Sequence, residues 1–257
     1  MMHVIVCIKS VIVAAPEADG VRSDDVCELN PYDRPAIEIA LSLRDLHGGS
    51  VTALSMGPDS SRFGLLEALA MGVDRGILLS DAALAGSDTL ATSLTLSAAV
   101  KRLAPFDLIL FGTRTADSDT GQVGPQTAVR LGIPAVARVH AIIHEGGRFR
   151  VKRTIDGFLE TFDMTAPAAL TIRARAVQPR DIALSNIESA FISDHLTDWK
   201  LSDIGLSSDE VGQAGSGTQV ISLSRVSQAR TCEFLQGEDR EKVEALALRL
   251  SETGLIG

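Results

Sequence analysis

The stretch Asp107-Leu108-Ile109-Leu110-Phe111-Gly112-Thr113-Arg114-Thr115-Ala116-Asp117-Ser118-Asp119-Thr120-Gly121-Gln122-Val123-Gly124-Pro125-Gln126 reads as a buried strand, a long polar loop and a helix start. Its first part is apolar without alternation, the pattern of a strand covered on both faces. Three earlier runs share that pattern: His3–Ile8, Val51–Met56 and Gly76–Ser80. Between them, Ile39, Leu43 and Leu46 fall at i, i+4, i+7, and Leu96, Ala99, Val100 and Leu103 at i, i+3, i+4, i+7, the spacing of helix faces. Asp88 is placed to N-cap a helix beginning at Thr89, and Gly48 and Gly49 to stop one ending near His47. Strands alternating with helices imply right-handed crossovers and a parallel sheet. Residues 1–132 are therefore expected to form a doubly wound, Rossmann-like α/β core.

Downstream the pattern changes. Val136–Ile143 and Arg148–Thr154 are strand-like runs separated by His144, Glu145, Gly146 and Gly147, a hairpin signal. Asp156-Gly157 offers a second turn before Phe158–Met164, and Pro167 precedes the apolar run Ala168–Ile172. The sheet is expected to continue with antiparallel strands to about residue 173. The domain boundary is placed at 180, with the hairpin at 136–164 inside an α/β domain of residues 1–180. Residues 181–239 hold scattered apolar positions, the single Trp199 and a Gly/Ser-rich stretch around Gly212–Gly217. A terminal helix is expected at about 240–252, with Val243, Leu246, Ala247 and Leu250 on one face. Residues 181–257 have too little apolar content for a core of their own. Two readings stand: a tail folded over its own domain, or an arm reaching a partner.

Composition excludes several classes. The chain has 257 residues, and 24 Lys and Arg against 33 Asp and Glu give a net charge of −9. That balance argues against nonspecific nucleic-acid binding, which relies on a basic stripe, and against anionic membrane surfaces. No run approaches the ~18 apolar residues of a membrane span. Met1–Ser10 lacks a basic leading region and runs into a strand, so no signal peptide is expected. Three scattered cysteines, Cys7, Cys27 and Cys232, favour a reducing compartment, and the protein is expected to be cytoplasmic.

The usual catalytic and metal motifs are absent, including H-E-x-x-H, C-x-x-C, G-x-S-x-G, the P-loop and the G-x-G-x-x-G fingerprint. His140 and His144 would stand ~13 Å apart on a strand, too far to share a metal. Cys7 reads as an inert buried thiol. What remains is the set of loops at the strand ends, where open α/β sheets bind ligands. These are Cys7-Ile8-Lys9, Ser55-Met56-Gly57-Pro58 and the long loop Gly112–Gln126. A helix start near Gln122–Pro125 preceded by small residues can present N–H groups to a phosphate. An ordinary helix start capped by Asp119 accounts for the same residues. A second polar helix start, Gly86–Ser93, offers the hydroxyls of Thr89, Thr92 and Ser93 either to a cofactor or only to solvent.

These segments together resemble the beta subunit of the electron transfer flavoprotein family. The resemblance runs through the Val4–Lys9 strand, Leu29-Asn30-Pro31-Tyr32-Asp33, Ser55-Met56-Gly57-Pro58 and Glu67–Gly76. It continues through Asp117–Pro125, Asp156-Gly157 with Glu160, Pro179-Arg180 and Leu184-Ser185-Asn186-Ile187. It implies an α/β subunit that binds an adenine nucleotide and pairs with an alpha subunit carrying an FAD. Carried over by position, Cys7, Lys9, Asn30, Ser55, Gly57, Asp117, Asp119, Thr120, Gln122, Val123 and Gly124 would line the nucleotide site. Ordinary members hold AMP there, whereas electron-bifurcating members hold a second FAD that takes a hydride from NADH. Gly86–Ser93 resembles the bifurcating branch, which makes FAD the expected cofactor, AMP the alternative, and Asp88, Thr89, Thr92 and Ser93 flavin contacts. No catalytic side chain and no metal are expected.

The segment at about 184–191 is similar to the family's recognition loop, which implies that Leu184, with Ile187, docks a dehydrogenase of the acyl-CoA or another flavin type. Ferredoxin or flavodoxin would be the further acceptor in the bifurcating case. Phe191–Trp199 departs from the lysine-rich stretch of some members and leaves the dehydrogenase unidentified. The resemblance makes residues 181–257 an arm that embraces the alpha subunit. A stand-alone, stress-type adenine-nucleotide module is the rival reading; it shares the core but predicts neither the hairpin nor the long tail.

Overall fold

The computed structural model describes residues 1–12, 27–192, 194–222 and 232–256. In chain order its elements begin with β1 (Met2–Ile8), β2 (Ser10–Ile12), β3 (Cys27–Leu29), α1 (Arg34–His47), β4 (Gly49–Met56), α2 (Arg62–Ala70) and β5 (Arg75–Leu79). Next come α3 (Thr89–Arg102), β6 (Leu108–Gly112), α4 (Val123–Leu131), β7 (Ala135–Glu145), β8 (Arg148–Ile155), β9 (Phe158–Thr165) and β10 (Ala168–Ile172). The remainder is α5 (Leu184–Ile192), β11 (Leu196–Trp199), two single turns, α6 (Leu201–Ile204) and α7 (Gly212–Gly215), and α8 (Asp239–Glu252).

One nine-stranded sheet has the order β11-β5-β4-β1-β6-β10-β7-β8-β9. From β11 to β7 every neighbouring pair is parallel. Alternate residues of β1 serve opposite faces, as the pleat requires. Val4, Val6 and Ile8 pack with Ala36, Ile37, Ala40, Leu41, Leu65 and Ala68 of α1 and α2. Ile5 and Cys7 pack with Leu96, Ala99, Val100 and Ala128 of α3 and α4. Two covered faces explain why these strands read as unbroken apolar runs. The buried face of α1 is Ala36, Ile37, Ala40, Leu41 and Leu43, whereas Leu46, grouped with Ile39 and Leu43 by spacing, is exposed in the last turn. Both expected helix boundaries are present: Asp88 caps α3, and Gly48 follows α1.

The hairpin extension is built as expected, with β7-β8 and β8-β9 antiparallel. Gly146-Gly147 and Asp156-Gly157 both have positive φ at the two turn positions, matching the twist of tight hairpins. One expectation is corrected. β10 is not a further antiparallel strand; it lies inside the sheet, parallel to both β6 and β7. All five of its residues are buried, which an interior position satisfies and an outer hairpin strand does not.

One compact unit runs from Met1 to Val220. Several contacts hold residues 181–220 to the core, two of them through regular elements. β11 pairs with β5, and Ala190 of α5 packs against Leu69 and Ala70 of α2. Just before them, Arg180 grips the buried Glu38 of α1 through Nε at 2.9 Å and a terminal nitrogen at 3.0 Å. Residues 221–257 form a second unit. Its helix α8 buries none of its residues, and Val243, Leu246 and Leu248 are exposed.

Trp199 fixes β11: it is buried among Leu79, Leu84 and Leu201, with the Arg102 guanidinium 4.8 Å above its ring. Trp199→Ala is expected to cost about 3–5 kcal/mol and to lower the melting temperature of the main unit by roughly 10 °C. Calorimetry on the full chain checks this; an unchanged main transition would show that β11 is not part of the core.

Candidate functional site

The chain leaves β1 for β4 and β5 on one side and returns to β6 on the other, so β1 marks the switch point of the sheet. Register aligns Ile8 with Ser55, and Cys7 with Leu54 and Phe111. Lys9, Ser55 with Gly57, and the loop after Gly112 therefore border one cleft at the C-terminal strand ends.

Asn30 braces this cleft from below. It is fully buried; its Nδ2 donates to the Arg114 carbonyl at 2.9 Å, and its Oδ1 accepts from the Ala116 N–H at 3.2 Å. Its own N–H donates to the Lys9 carbonyl at 2.9 Å. The Lys9 N–H in turn donates to Asp33 Oδ2 at 2.8 Å. Gly112 permits the close passage, because a Cβ there would lie 2.2 Å from Asp33 Oδ1 and 2.6 Å from the Tyr32 carbonyl. The Lys9 ammonium contacts Asp117 at 2.6 Å, and the Ser118 N–H also donates to that carboxylate, at 2.7 Å.

The two carboxylates titrate in opposite directions. Burial pushes Asp33 up to about 7, against the opposing hydrogen bonds from Lys9, Asn30 and Gly112. Burial also raises Asp117, but hydrogen bonds from Lys9 and Thr115 and the lysine's charge outweigh it, leaving the carboxyl at about 2. Burial and the neighbouring Asp33 carboxylate push the Cys7 thiol upward, consistent with an inert thiol.

The helix start expected near Gln122–Pro125 is α4. Asp119 is not its cap: Gln122 occupies that position, with no side-chain cap bond, while Asp119 sits in the loop at φ +51° and contacts Arg114 at 3.3 Å. Helix N–H groups without a side-chain cap suit an anion. Thr120 and Gln122 are exposed on the loop, Val123 is half-buried, and Gly124 packs tightly on Phe111 and Thr171. A second observation points to a ligand. Ser55 Oγ and Gln126 Oε1 are buried without hydrogen-bond partners, as is Ser60 Oγ in the turn after β4. Buried polar atoms are ordinarily paired, so unpaired ones at a cleft ask for an occupant.

The α3 start adjoins the same loop, since the Thr89 hydroxyl donates to Gln122 Oε1 at 3.2 Å. Thr92 is half-buried one turn on. Ser93 is fully buried, and its hydroxyl donates to the Leu90 carbonyl and accepts from Arg130 of α4, so it joins α3 to α4 and lines no open surface. Burial opposes the charge of Asp88, but N–H groups of Ala91, Thr218 and Gly217 and the Thr218 hydroxyl hold its carboxyl below the usual range.

Asp33, Tyr32, Arg114 and Gln126 were not read from sequence as site residues. Asp33 before Arg34-Pro35 looks like a plain helix cap, and its partner Lys9 lies across residues 13–26. Arg114 stacks over the Tyr32 ring at 4.6 Å and donates to its hydroxyl at 2.9 Å. Among the described residues no cluster of three metal-ligating side chains occurs. Nor is any helix among them long and apolar enough to cross a membrane.

A doubly wound sheet with a cleft of this kind defines the class of Rossmann-like proteins that bind ligands at the switch point. Within that class, residues 21–190 match the electron transfer flavoprotein domain. The chain is 34% identical to the electron transfer flavoprotein subunit beta of Thermoanaerobacterium thermosaccharolyticum, over 99% of this chain and 100% of that one. It is 36% identical to the acryloyl-CoA reductase electron transfer subunit gamma of Anaerotignum propionicum, over 99% and 100%. With the caffeyl-CoA reductase-Etf complex subunit CarD of Acetobacterium woodii it shares 37% identity, over 85% and 86%. The chain belongs to the electron transfer flavoprotein family.

Asp33 titrates near 3.8 when unfolded and near 7 when folded. The raised value means that its contribution to stability is complete below about pH 4 and lost as pH rises through about 7. Asp33→Asn stays uncharged, so urea unfolding should show the variant gaining on the wild type between about pH 4 and about pH 8. A stability difference constant with pH would contradict a buried, proton-holding Asp33.

Proposed function

We propose that this chain is the beta subunit of a heterodimeric electron transfer flavoprotein, and that its cleft holds the adenylate half of an FAD. The observation that carries this is the Asn30-braced loop, which leads into the uncapped start of α4 and, with Lys9, borders the strand ends where the Ser55 hydroxyl is buried and unpartnered. These residues fit an adenine nucleotide. N–H groups at Gln122, Val123 and Gly124 suit its phosphates, Ser55 Oγ and Gln126 Oε1 supply unfilled polar valences, and Lys9 supplies positive charge moderated by Asp117. At Gly57 a Cβ would lie 2.2 Å from Ser61 Oγ, so the glycine lets the turn after β4 close on itself.

A bound FAD would supply the redox chemistry, as acceptor of a hydride from NADH. The chain's own part is to bind, orient and exclude water. FAD is favoured over AMP because the α3 start adjoins the nucleotide loop through Thr89 and Gln122, giving a longer ligand a second wall. Relatives named as parts of acryloyl-CoA and caffeyl-CoA reductase complexes support the bifurcating branch.

The partners follow the same reading. An alpha subunit carrying its own FAD pairs with this chain, and α8, whose apolar residues are exposed, contributes to that pairing. Leu184, 85% exposed, and Ile187 on α5 present an apolar patch for an acyl-CoA-type or other flavin dehydrogenase. Ferredoxin or flavodoxin takes the other electron, and the complex works in the cytoplasm.

The test is to co-express the chain with its alpha subunit, denature the purified complex, and quantify FAD and AMP. Two FAD per heterodimer and no AMP is the expected result. One FAD and one AMP would make this an ordinary carrier with a structural AMP. No complex and no flavin would overturn the proposal.

A further inference from the structure

The Gly/Ser-rich stretch around Gly212–Gly217 is strapped onto the loop that starts α3. The Gln213 N–H donates to the Ala85 carbonyl at 3.0 Å, and the Gly212 N–H to Ser87 Oγ at 3.1 Å. Ser216 Oγ accepts from the Asp88 N–H at 2.8 Å and contacts the Gly86 carbonyl at 3.2 Å. Gly212 sits so close that a Cβ would lie 2.0 Å from the Ala83 carbonyl, at a φ of +60° that only glycine adopts readily. The strap is therefore seated by shape as well as by hydrogen bonds.

Asp88 closes the strap. Its Oδ1 accepts from the Leu90 and Ala91 N–H groups, each at 2.9 Å, and so caps α3. Its Oδ2 accepts from the Thr218 N–H at 3.0 Å and the Thr218 hydroxyl at 3.1 Å. One carboxylate thus joins a helix start to a segment 130 residues away in sequence. With both oxygens engaged, Asp88 has little left to offer a flavin. The next residue, Thr89, is the one that reaches Gln122.

We propose that Asp88 and Thr218 form a latch that positions the nucleotide loop, acting through Thr89 on Gln122. Both are positioning residues, and the inference rests on the nucleotide-site reading above. The strap holds the α3 start in place, which holds the Thr89 hydroxyl against Gln122 at the mouth of α4. The same latch anchors the chain just before it leaves the main unit at Val220.

The test uses the nucleotide-depleted heterodimer titrated with AMP by calorimetry. Thr218→Val removes one hydroxyl from an exposed position. Asp88→Asn keeps a capping oxygen for α3 but loses the charge and turns an amide toward Thr218. Each is expected to weaken AMP binding by roughly three- to tenfold, the loss of one charge-assisted hydrogen bond transmitted in part. Thr218→Ser should restore affinity. If the effect runs through Thr89, the double variant Thr218→Val/Thr89→Val should bind AMP no worse than Thr89→Val alone.

A lower melting temperature with AMP affinity unchanged in both latch variants would overturn the latch while leaving the nucleotide site standing. Full additivity with Thr89→Val would overturn the route through Thr89. A wild-type heterodimer that takes up neither AMP nor FAD in its beta chain would overturn the nucleotide site and the latch together.

Discussion

The buried side-chain amide of Asn30 is the brace on which the cleft depends. It ties the turn after β3 to the long loop after β6 through one donor and one acceptor, and its backbone N–H ties both to the end of β1. A buried amide stripped of such partners costs on the order of 1–3 kcal/mol per unsatisfied group, so the three segments are held together or lost together. Asp117 meets Lys9 only because the loop is held there, and the uncapped start of α4 follows from the same loop. Lys9 divides its groups between two carboxylates: its ammonium goes to Asp117 and its backbone N–H to Asp33. The half-buried carboxylate that receives the ammonium titrates low, whereas complete burial of Asp33 outweighs the donors and charge that favour its ionised form.

Much of this was legible in the sequence, and the reasons are physical. Unbroken apolar runs marked strands covered on both faces, and Asp88 marked a helix start because few other roles suit an Asp before Thr89-Leu90-Ala91. The paired turns Gly146-Gly147 and Asp156-Gly157 marked the hairpin, since positive φ at both positions demands such residues. What failed was long-range pairing. Nothing local in Ala168–Ile172 distinguishes an interior parallel strand from another antiparallel one, because that choice is made by β6 and β7. Leu196–Trp199 is too short and mixed to declare itself as a strand, yet it pairs with β5 once Trp199 is buried.

The site shows the same division. Lys9, Asn30, Ser55 and the loop after β6 meet at the C-terminal strand ends. Asp33 escaped notice because a helix-start Asp is the commonest of signals and its partner is distant. Ser93, by contrast, shares its segment with Thr89 but points into the α3–α4 contact, a difference of about one turn that sequence spacing alone does not weigh. The stretch around Gly212–Gly217 showed only as Gly/Ser-rich; its small residues are what allow it to lie against Ala83–Asp88. Of the tail, residues 181–220 lie on their own domain, and residues 221–257 form a unit of their own.

The central claim is that an adenine nucleotide sits in the cleft between β1, β4 and the start of α4. A crystal structure of the heterodimer as purified, without added nucleotide, tests it most directly. The account predicts adenylate density with its phosphates against the N–H groups of Gln122–Gly124 and a polar atom within hydrogen-bond distance of Ser55 Oγ. An empty cleft with Ser55 Oγ still unpartnered, or a nucleotide bound elsewhere on this chain, would contradict it.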